Sequence, residues 1–286
     1  MFASPFQYHR AKTLADAVRL LGEVKDAKLL AGGHSLIPAM KLRIAGPSAL
    51  VDITGIADLT GVSVDGGSLR LGALTTHAAV AASDVVKKAC PILAETAAQI
   101  GDAQVRNRGT IGGSVAHADP AADYPTVLLA TGATVVAQGP GGRHEIPASA
   151  FFVDLFTTAL KADEIVVEVR VPTAAKGVGG AYLKHRHPAS SYAVVGVAAV
   201  VEAKDGKCVK ASLVVGGATT TPVRASAAEA ALVGQPLGDA AFAAAAAKVA
   251  AAIQEPLSDP YASGEYRTHL ATVLARRALA AAAARA

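Results

Sequence analysis

The sequence predicts an α+β chain of two domains, and three observations lead there. The first part of the chain mixes short strand-like and helix-like segments without the GxGxxG fingerprint that a dinucleotide-binding Rossmann unit carries after its first strand. Thr173-Ala174-Ala175-Lys176-Gly177-Val178-Gly179-Gly180 is small and flexible in composition and reads as a linker. Beyond it, two long apolar strands are followed by three helices, the order of an α+β domain. At 286 residues the chain has room for both. We place a first domain at 1–175, divided near residue 57 into subdomains 1–57 and 58–175, and a second at 176–286.

Leu14, Ala17, Val18 and Leu21 recur at i, i+3, i+4 and i+7, one face of a helix that Thr13 can cap. Lys28–Ala31 reads as a strand, Pro38–Arg43 as a short helix with proline at its start, and Ala49–Ile53 as a second strand. Val62–Val64 and Ser68–Leu71 flank Asp65-Gly66-Gly67, a hairpin signal. Helices are expected at Thr76–Ala82 and Pro91–Gln99. Thr126–Gln138 should run from a short helix into a strand at Thr134–Ala137, before the turn Gly139-Pro140-Gly141-Gly142. Ile165–Val171 alternates as a strand. Past the linker, Tyr192–Ala203 and Cys208–Val215 read as strands around Asp205-Gly206. Thr221 with Pro222 should open a helix that ends at Gly234; further helices are expected at Asp239–Ile253 and from Ser263 to the C-terminus.

Hydrophobic residues make up 52% and charged residues 17%, a composition for a packed core rather than disorder. The two cysteines, Cys90 and Cys208, form no CxxC, so the sequence carries no motif for a disulfide framework, a zinc site or an iron–sulfur cluster. The net charge of +4 is scattered and there is no Trp, which gives nucleic-acid binding little support. The N-terminus lacks a basic region followed by an apolar one, and no stretch has the length and hydropathy of a transmembrane span. The expectation is a cytoplasmic protein that is not integral to a membrane.

Two glycine-bearing stretches organise the chain: Ala31-Gly32-Gly33-His34-Ser35, after the strand ending Leu29-Leu30, and Thr110-Ile111-Gly112-Gly113-Ser114. A Gly-Gly pair admits φ > 0 and close approach of a ligand, and successive amides in such a turn can form an anion-binding nest. Ser35, Thr110 and Ser114 add hydroxyls. Two such loops suit the two sides of a diphosphate; each alone is also an ordinary tight turn.

The flanks extend the pattern through Ile100-Gly101-Asp102-Ala103-Gln104-Val105-Arg106-Asn107-Arg108-Gly109 and Asp119-Pro120-Ala121-Ala122-Asp123-Tyr124-Pro125. Together these segments resemble the FAD-binding subunits of molybdenum hydroxylases, the xanthine dehydrogenase and aerobic carbon monoxide dehydrogenase group. The AGGHS and TIGGS spellings, with Lys184-His185-Arg186-His187-Pro188, are most similar to the medium subunits of the carbon monoxide branch. Asp259–Arg267 resembles the entry to the last helix of that family.

The resemblance implies a two-subdomain FAD-binding domain of the vanillyl-alcohol-oxidase (PCMH) type, then a smaller α+β domain. It implies FAD held by Leu29, Leu30, Ala31, Gly32, Gly33, His34, Ser35, Leu36, Ile100, Gly101, Thr110, Ile111, Gly112, Gly113, Ser114, Asp123, Val166, Lys184 and Tyr192. No residue of this chain is assigned a catalytic role, and none a metal. The molybdenum cofactor and two [2Fe–2S] clusters are implied in a large and a small partner subunit, assembled as a dimer of heterotrimers. Electrons would leave to a quinone-type acceptor, and the complex would associate peripherally with the inner face of the membrane. In the carbon monoxide branch the overall reaction is CO and water to CO2. The alternatives are the FAD subunit of a xanthine, aldehyde or other heterocycle dehydrogenase, a free-standing flavin oxidoreductase, and a flavin-free scaffold, which would purify colourless.

Several of these residues have a plainer reading as well. His34 suits a cofactor contact or an exposed loop. Asp123 suits a helix N-cap as well as a cofactor contact. Lys184 suits a charge beside the flavin or a solvated strand lysine; Tyr192, with Tyr124 and Tyr182, suits a flavin ring neighbour or the core. Arg106 and Arg108 suit a diphosphate, water or a partner. His185 and His187, spaced i, i+2, fall on one strand face but lack a third ligand nearby, as do His117 and Asp119.

Overall fold

Thr13 accepts the amide of Asp16 and opens the helix Leu14–Glu23, as its sequence predicts. In the computed structural model, which describes residues 2–286, that helix links the outer strands of a three-stranded parallel sheet. Ala49–Asp52 is the middle strand, buried at all four residues, between Gln7–Arg10 and Ala27–Leu30. Burial on both faces explains why it reads as a continuous apolar run rather than an alternation.

A five-stranded antiparallel sheet follows, in the order Val62–Asp65, Ser68–Gly72, Ile165–Pro172, Thr134–Gly139, Gly142–Pro147. Its two faces serve different cores. Val136, Ile165 and Val167 pack towards the parallel sheet, while Leu69, Leu71, Val135 and Val169 pack against helices that include Pro91–Ala98 and Asp123–Thr131.

The third sheet pairs Val178–Arg186, Ala193–Lys204, Lys207–Gly216 and the short Val223–Arg224, all antiparallel. It too is covered twice. Tyr182, Ala198 and Val214 join the core of the first domain, whereas Val195, Val197, Leu213 and Val215 pack beneath the C-terminal helix Gly264–Ala283. Alanine at 271, 275, 278 and 282 lets that helix lie close on the sheet. The mixed helix and strand architecture is thus the α+β class that the sequence predicts.

Several local expectations are corrected. Thr110–Ser114 is not a free turn: Thr110 caps a helix, Ile111–His117, so Gly112 and Gly113 lie in a first helical turn. Gly112 is required by packing, because a Cβ there would come within 2.5 Å of the Ala73 Cβ. Thr221-Pro222 opens no helix; Val223–Arg224 pairs with Val214 and Val215 instead, and the helix starts at Ser226. The linker ends earlier than its composition suggests, since Gly179 and Gly180 belong to the strand Val178–Arg186. The Pro38 helix begins at Leu36, two residues before the proline. The Asp239 helix stops at Ala246 and resumes as a 3-10 turn, Val249–Ala252. Helices Asp84–Ala89 and Ala103–Arg108 are additional to those that the sequence predicts.

Candidate functional site

Gly32 brings the two glycine-bearing stretches together. A Cβ built on it would stand 2.0 Å from the Arg108 carbonyl oxygen, so the first loop lies directly on the end of the helix Ala103–Arg108. Gly33 then turns the chain with φ +75°, a left-handed conformation that favours glycine. The His34 ring folds back to within 3.2 Å of the Gly32 carbonyl. Helix Leu36–Lys41 follows at once.

The second stretch is held from below. Ile111 donates its amide to the Thr75 carbonyl, Gly112 to Ala73, and Gly113 to the Thr110 hydroxyl oxygen. Ser114 donates to the Thr110 carbonyl. Those four amides are therefore used within the fold, and the anion nest expected of both loops is left to the first one. What the second loop offers is the hydroxyls of Thr110 and Ser114.

Between them lies a cleft of about 410 Å³, within the usual range for small-molecule sites. Gly32, Gly33, His34, Ser35, Ile100, Gly101, Thr110, Ser114, Asp123 and Tyr192 line it, ten of the residues that the family resemblance implies. The others do not. Leu29, Leu30, Ala31 and Leu36 flank the first loop, Ile111 and Gly112 are buried under the second, and Gly113 lies outside the cleft lining. Val166 is buried in the five-stranded sheet opposite Ala137, away from the cleft lining.

Asp123 is not a helix N-cap. Ala122 holds that position, and the Asp123 carboxylate instead accepts the Tyr182 hydroxyl at 2.6 Å and the Lys184 ammonium at 2.9 Å. Lys184 also donates to the Ser191 carbonyl at 2.8 Å, and none of its side chain is exposed. It is thus neither solvated nor open to the cleft. Burial pushes the Asp123 carboxyl up and the Lys184 ammonium down, each opposed by the charge of the other. Tyr124 and Tyr182, candidates for a ring neighbour, are both in the core; Tyr192 alone of the three reaches the cleft, at 41% exposure.

Arg106 donates to the carbonyls of Ile100 and Gly101, fixing the left-handed turn at Gly101 (φ +50°). Neither Arg106 nor Arg108 lines the cleft. The strand ends at Arg186, after a register shift between His185 and Arg186, so His187 lies just past it. His185 and His187 both pack against Tyr261.

The sequence carries no expectation for His77, Ser190 and Ser191, which line the cleft, as do Val105 and Gly109 from the segment that flanks the second loop. His77 follows the cap Thr76 and is 4% exposed. Burial pushes its pKa down to about 4, and the neighbouring His34 and Arg106 act in the same direction. Its only sequence signal is its place one residue after a helix cap. Ser190 and Ser191 come from a loop of the second domain, so no local pattern links them to residues near 32 or 110.

The donor set fits the diphosphate of a dinucleotide: the Gly32–Ser35 loop, the hydroxyls of Ser35, Thr110, Ser114, Ser190 and Ser191, and three imidazoles. A Cβ at Gly32 would destroy the contact between the loops on which the cleft depends.

Residues 4–174 match the family described as FAD binding domain in molybdopterin dehydrogenase. Residues 180–282 match the carbon monoxide dehydrogenase flavoprotein C-terminal domain. The chain is 40% identical to the carbon monoxide dehydrogenase medium chain of Hydrogenophaga pseudoflava, covering 100% of this chain and 99% of that one. It is 32% identical, over 97% of its length and 96% of the other's, to the xanthine dehydrogenase FAD-binding subunit of Escherichia coli O157:H7. Its structure superposes on that of Hydrogenophaga pseudoflava carbon monoxide dehydrogenase lacking the Mo-pyranopterin moiety with a TM-score of 0.96, at 42% identity, over 100% of this chain and 99% of the other.

Proposed function

The chain belongs to the family of FAD-binding subunits of molybdopterin dehydrogenases, and we propose that it is the medium, electron-transferring subunit of an aerobic carbon monoxide dehydrogenase. The observation that carries the reading is the contact of Gly32 with the Arg108 carbonyl, which sets two glycine-bearing loops against one cleft. FAD is the cofactor of the family, and the cleft residues suit it.

A bound flavin supplies reversible acceptance of electrons, one or two at a time. The chain's own residues do the rest. The Gly32–Ser35 loop and the hydroxyls of Ser35, Thr110 and Ser114 would hold the diphosphate. Tyr192 would border the ring system, and Asp123, with Lys184 behind it, would set the charge at the inner end of the cleft. Leu29, Leu30, Ala31, Leu36, Ile111, Gly112 and Gly113 would support the walls from behind rather than touch the cofactor's polar groups, and Val166 lies away from them in the five-stranded sheet. Ile100 and Gly101, held by Arg106, would close one side.

The domain division at 1–57, 58–175 and 176–286 belongs to the same reading. It is supported by the end of the parallel sheet at Asp52 and by the coil between Pro172 and Val178. The partners are a molybdenum-containing large subunit and a [2Fe–2S] small subunit, with a quinone-type molecule as acceptor. The relatives are named as medium chains of carbon monoxide dehydrogenases, which supports the assembly. Among the described residues no helix is long and apolar enough to cross a membrane, and the proposed location is the cytoplasm, with peripheral attachment through the complex.

Anaerobic carbon monoxide tests the reading. The isolated, FAD-loaded chain should stay oxidised, because it carries no cluster motif and no group of metal ligands among its described residues. The flavin absorbance should fall once the partner subunits are present. Bleaching of the isolated chain would point to a self-contained enzyme. Bleaching of the assembly by a purine or an aldehyde, and not by carbon monoxide, would keep the flavoprotein subunit and change the substrate.

A further inference from the structure

No lysine or arginine lines the cleft; its ionisable residues are His34, His77, His117, Asp102, Asp119, Asp123 and Tyr192. Recognition of an anion there falls to neutral donors, and His77 is the most enclosed of them. Its main-chain amide donates to the Gly109 carbonyl at 3.0 Å, which fixes the residue beside the second loop. Its Nδ1 is buried with no hydrogen-bond partner. Tyr124 packs on the ring, centroids 5.4 Å apart and planes tilted by 55°, and the Tyr124 hydroxyl is also buried without a partner. Neighbouring buried polar groups left unsatisfied are uncommon in folded proteins and point to a missing participant.

The opposite edge of the imidazole is open for a definable reason. A Cβ on Gly109 would come within 2.6 Å of Nε2. Gly109 lines the cleft itself, and its lack of a side chain leaves Nε2 uncovered on that side. Glycine is needed here for close approach.

We propose that His77 is a cofactor-positioning residue whose Nε2–H donates to a phosphate oxygen of the bound dinucleotide, in a tautomer set by the Tyr124 hydroxyl. This rests on the reading of the cleft as the FAD site. A neutral imidazole has one donor and one acceptor nitrogen. Tyr124 is the polar neighbour on the buried side, and because its hydroxyl and Nδ1 do not bond each other directly, one trapped water between them would accept from the hydroxyl and donate to Nδ1. Nδ1 then accepts, and the proton resides on Nε2. The low pKa keeps the ring neutral at ordinary pH, so this tautomer is available throughout that range. The proton is shared, not transferred.

The test uses the full-length chain in its native assembly, stripped of flavin and titrated with FAD, and separately with ADP, which carries the diphosphate without the flavin. His77→Phe should weaken both ligands about tenfold, the worth of a hydrogen bond to a charged group. His77→Gln, which keeps a side-chain N–H, should recover most of that loss. Tyr124→Phe should weaken FAD binding by a smaller factor while leaving His77 in place. Unchanged affinities in His77→Phe overturn the proposal. So do equal losses in His77→Phe and His77→Gln with a matching fall in melting temperature, since a packing role would produce them. A Tyr124→Phe variant with wild-type affinity overturns the tautomer assignment. A wild-type assembly that takes up no FAD refutes the functional reading itself, before any variant is compared.

Discussion

The Lys184 ammonium stands 2.9 Å from the Asp123 carboxylate, with the lysine side chain wholly buried and the aspartate 4% exposed. The pair ties the strand Val178–Arg186 of the second domain to the helix Asp123–Thr131 of the first. Through its second bond, to the Ser191 carbonyl, Lys184 also anchors the loop that carries Tyr192 to the cleft.

Lys184→Met should therefore act on stability first. Removing one partner leaves Asp123 as an uncompensated buried charge, a change that costs about 3–5 kcal/mol. Tyr182 still donates to the carboxylate, so the loss should fall at the lower end. Adding Asp123→Asn removes the stranded charge and should return part of the loss. Urea denaturation of the single and double variants measures both. A Lys184→Met chain as stable as wild type would show that the ammonium contributes nothing to the junction.

Gly32→Ala should strip the cofactor without unfolding the chain. The new Cβ would meet the Arg108 carbonyl at 2.0 Å, and main-chain atoms there can yield only if the two loops separate. Gly46 is a suitable control, with nothing within 4 Å of its Cβ position. FAD per chain, read by absorbance after purification, should fall to a small fraction in Gly32→Ala and stay at the wild-type level in Gly46→Ala. Equal FAD content in the two would mean that the loops need not touch.

Much of this framework is legible from local chemistry. Thr13 and Thr76 cap the helices expected of them, and Asp65-Gly66-Gly67 turns the hairpin it signals, because each depends on a few neighbouring residues. The errors fall where distant partners decide. Gly112 and Gly113 are poor helix formers, yet they start a helix because the Ala73 and Thr75 carbonyls hold the turn from below. Thr221-Pro222 has the form of a helix start, but the residues after it pair with Val214 and Val215. Lys184 is a strand lysine in sequence and a buried ion-pair partner in space, because Asp123 lies 61 positions away. The helix Asp84–Ala89 is concealed differently: Ser83 ends one helix and caps the next, leaving no loop between them to signal a break.

His77 gives the chain a defined weakness to acid. Its pKa falls from 6.5 to about 4 on folding, because burial disfavours the imidazolium. Between those values the unfolded chain binds the proton and the folded chain does not. Stability is then unaffected by this group above pH 6.5 and is lost progressively as pH falls towards 4. The shift corresponds to about 3 kcal/mol in full, of which about 2 kcal/mol is lost by pH 5. Other groups titrate in the same window, so the contribution has to be read as a difference. His77→Gln has no imidazole to protonate, and its unfolding free energy should drop less than wild type between pH 7.5 and pH 5, by that same ~2 kcal/mol. Urea titrations of the flavin-free chains at the two pH values supply the comparison. Parallel losses in wild type and His77→Gln would mean that His77 titrates near its ordinary value in the folded chain, with more access to water than its position beside Tyr124 implies.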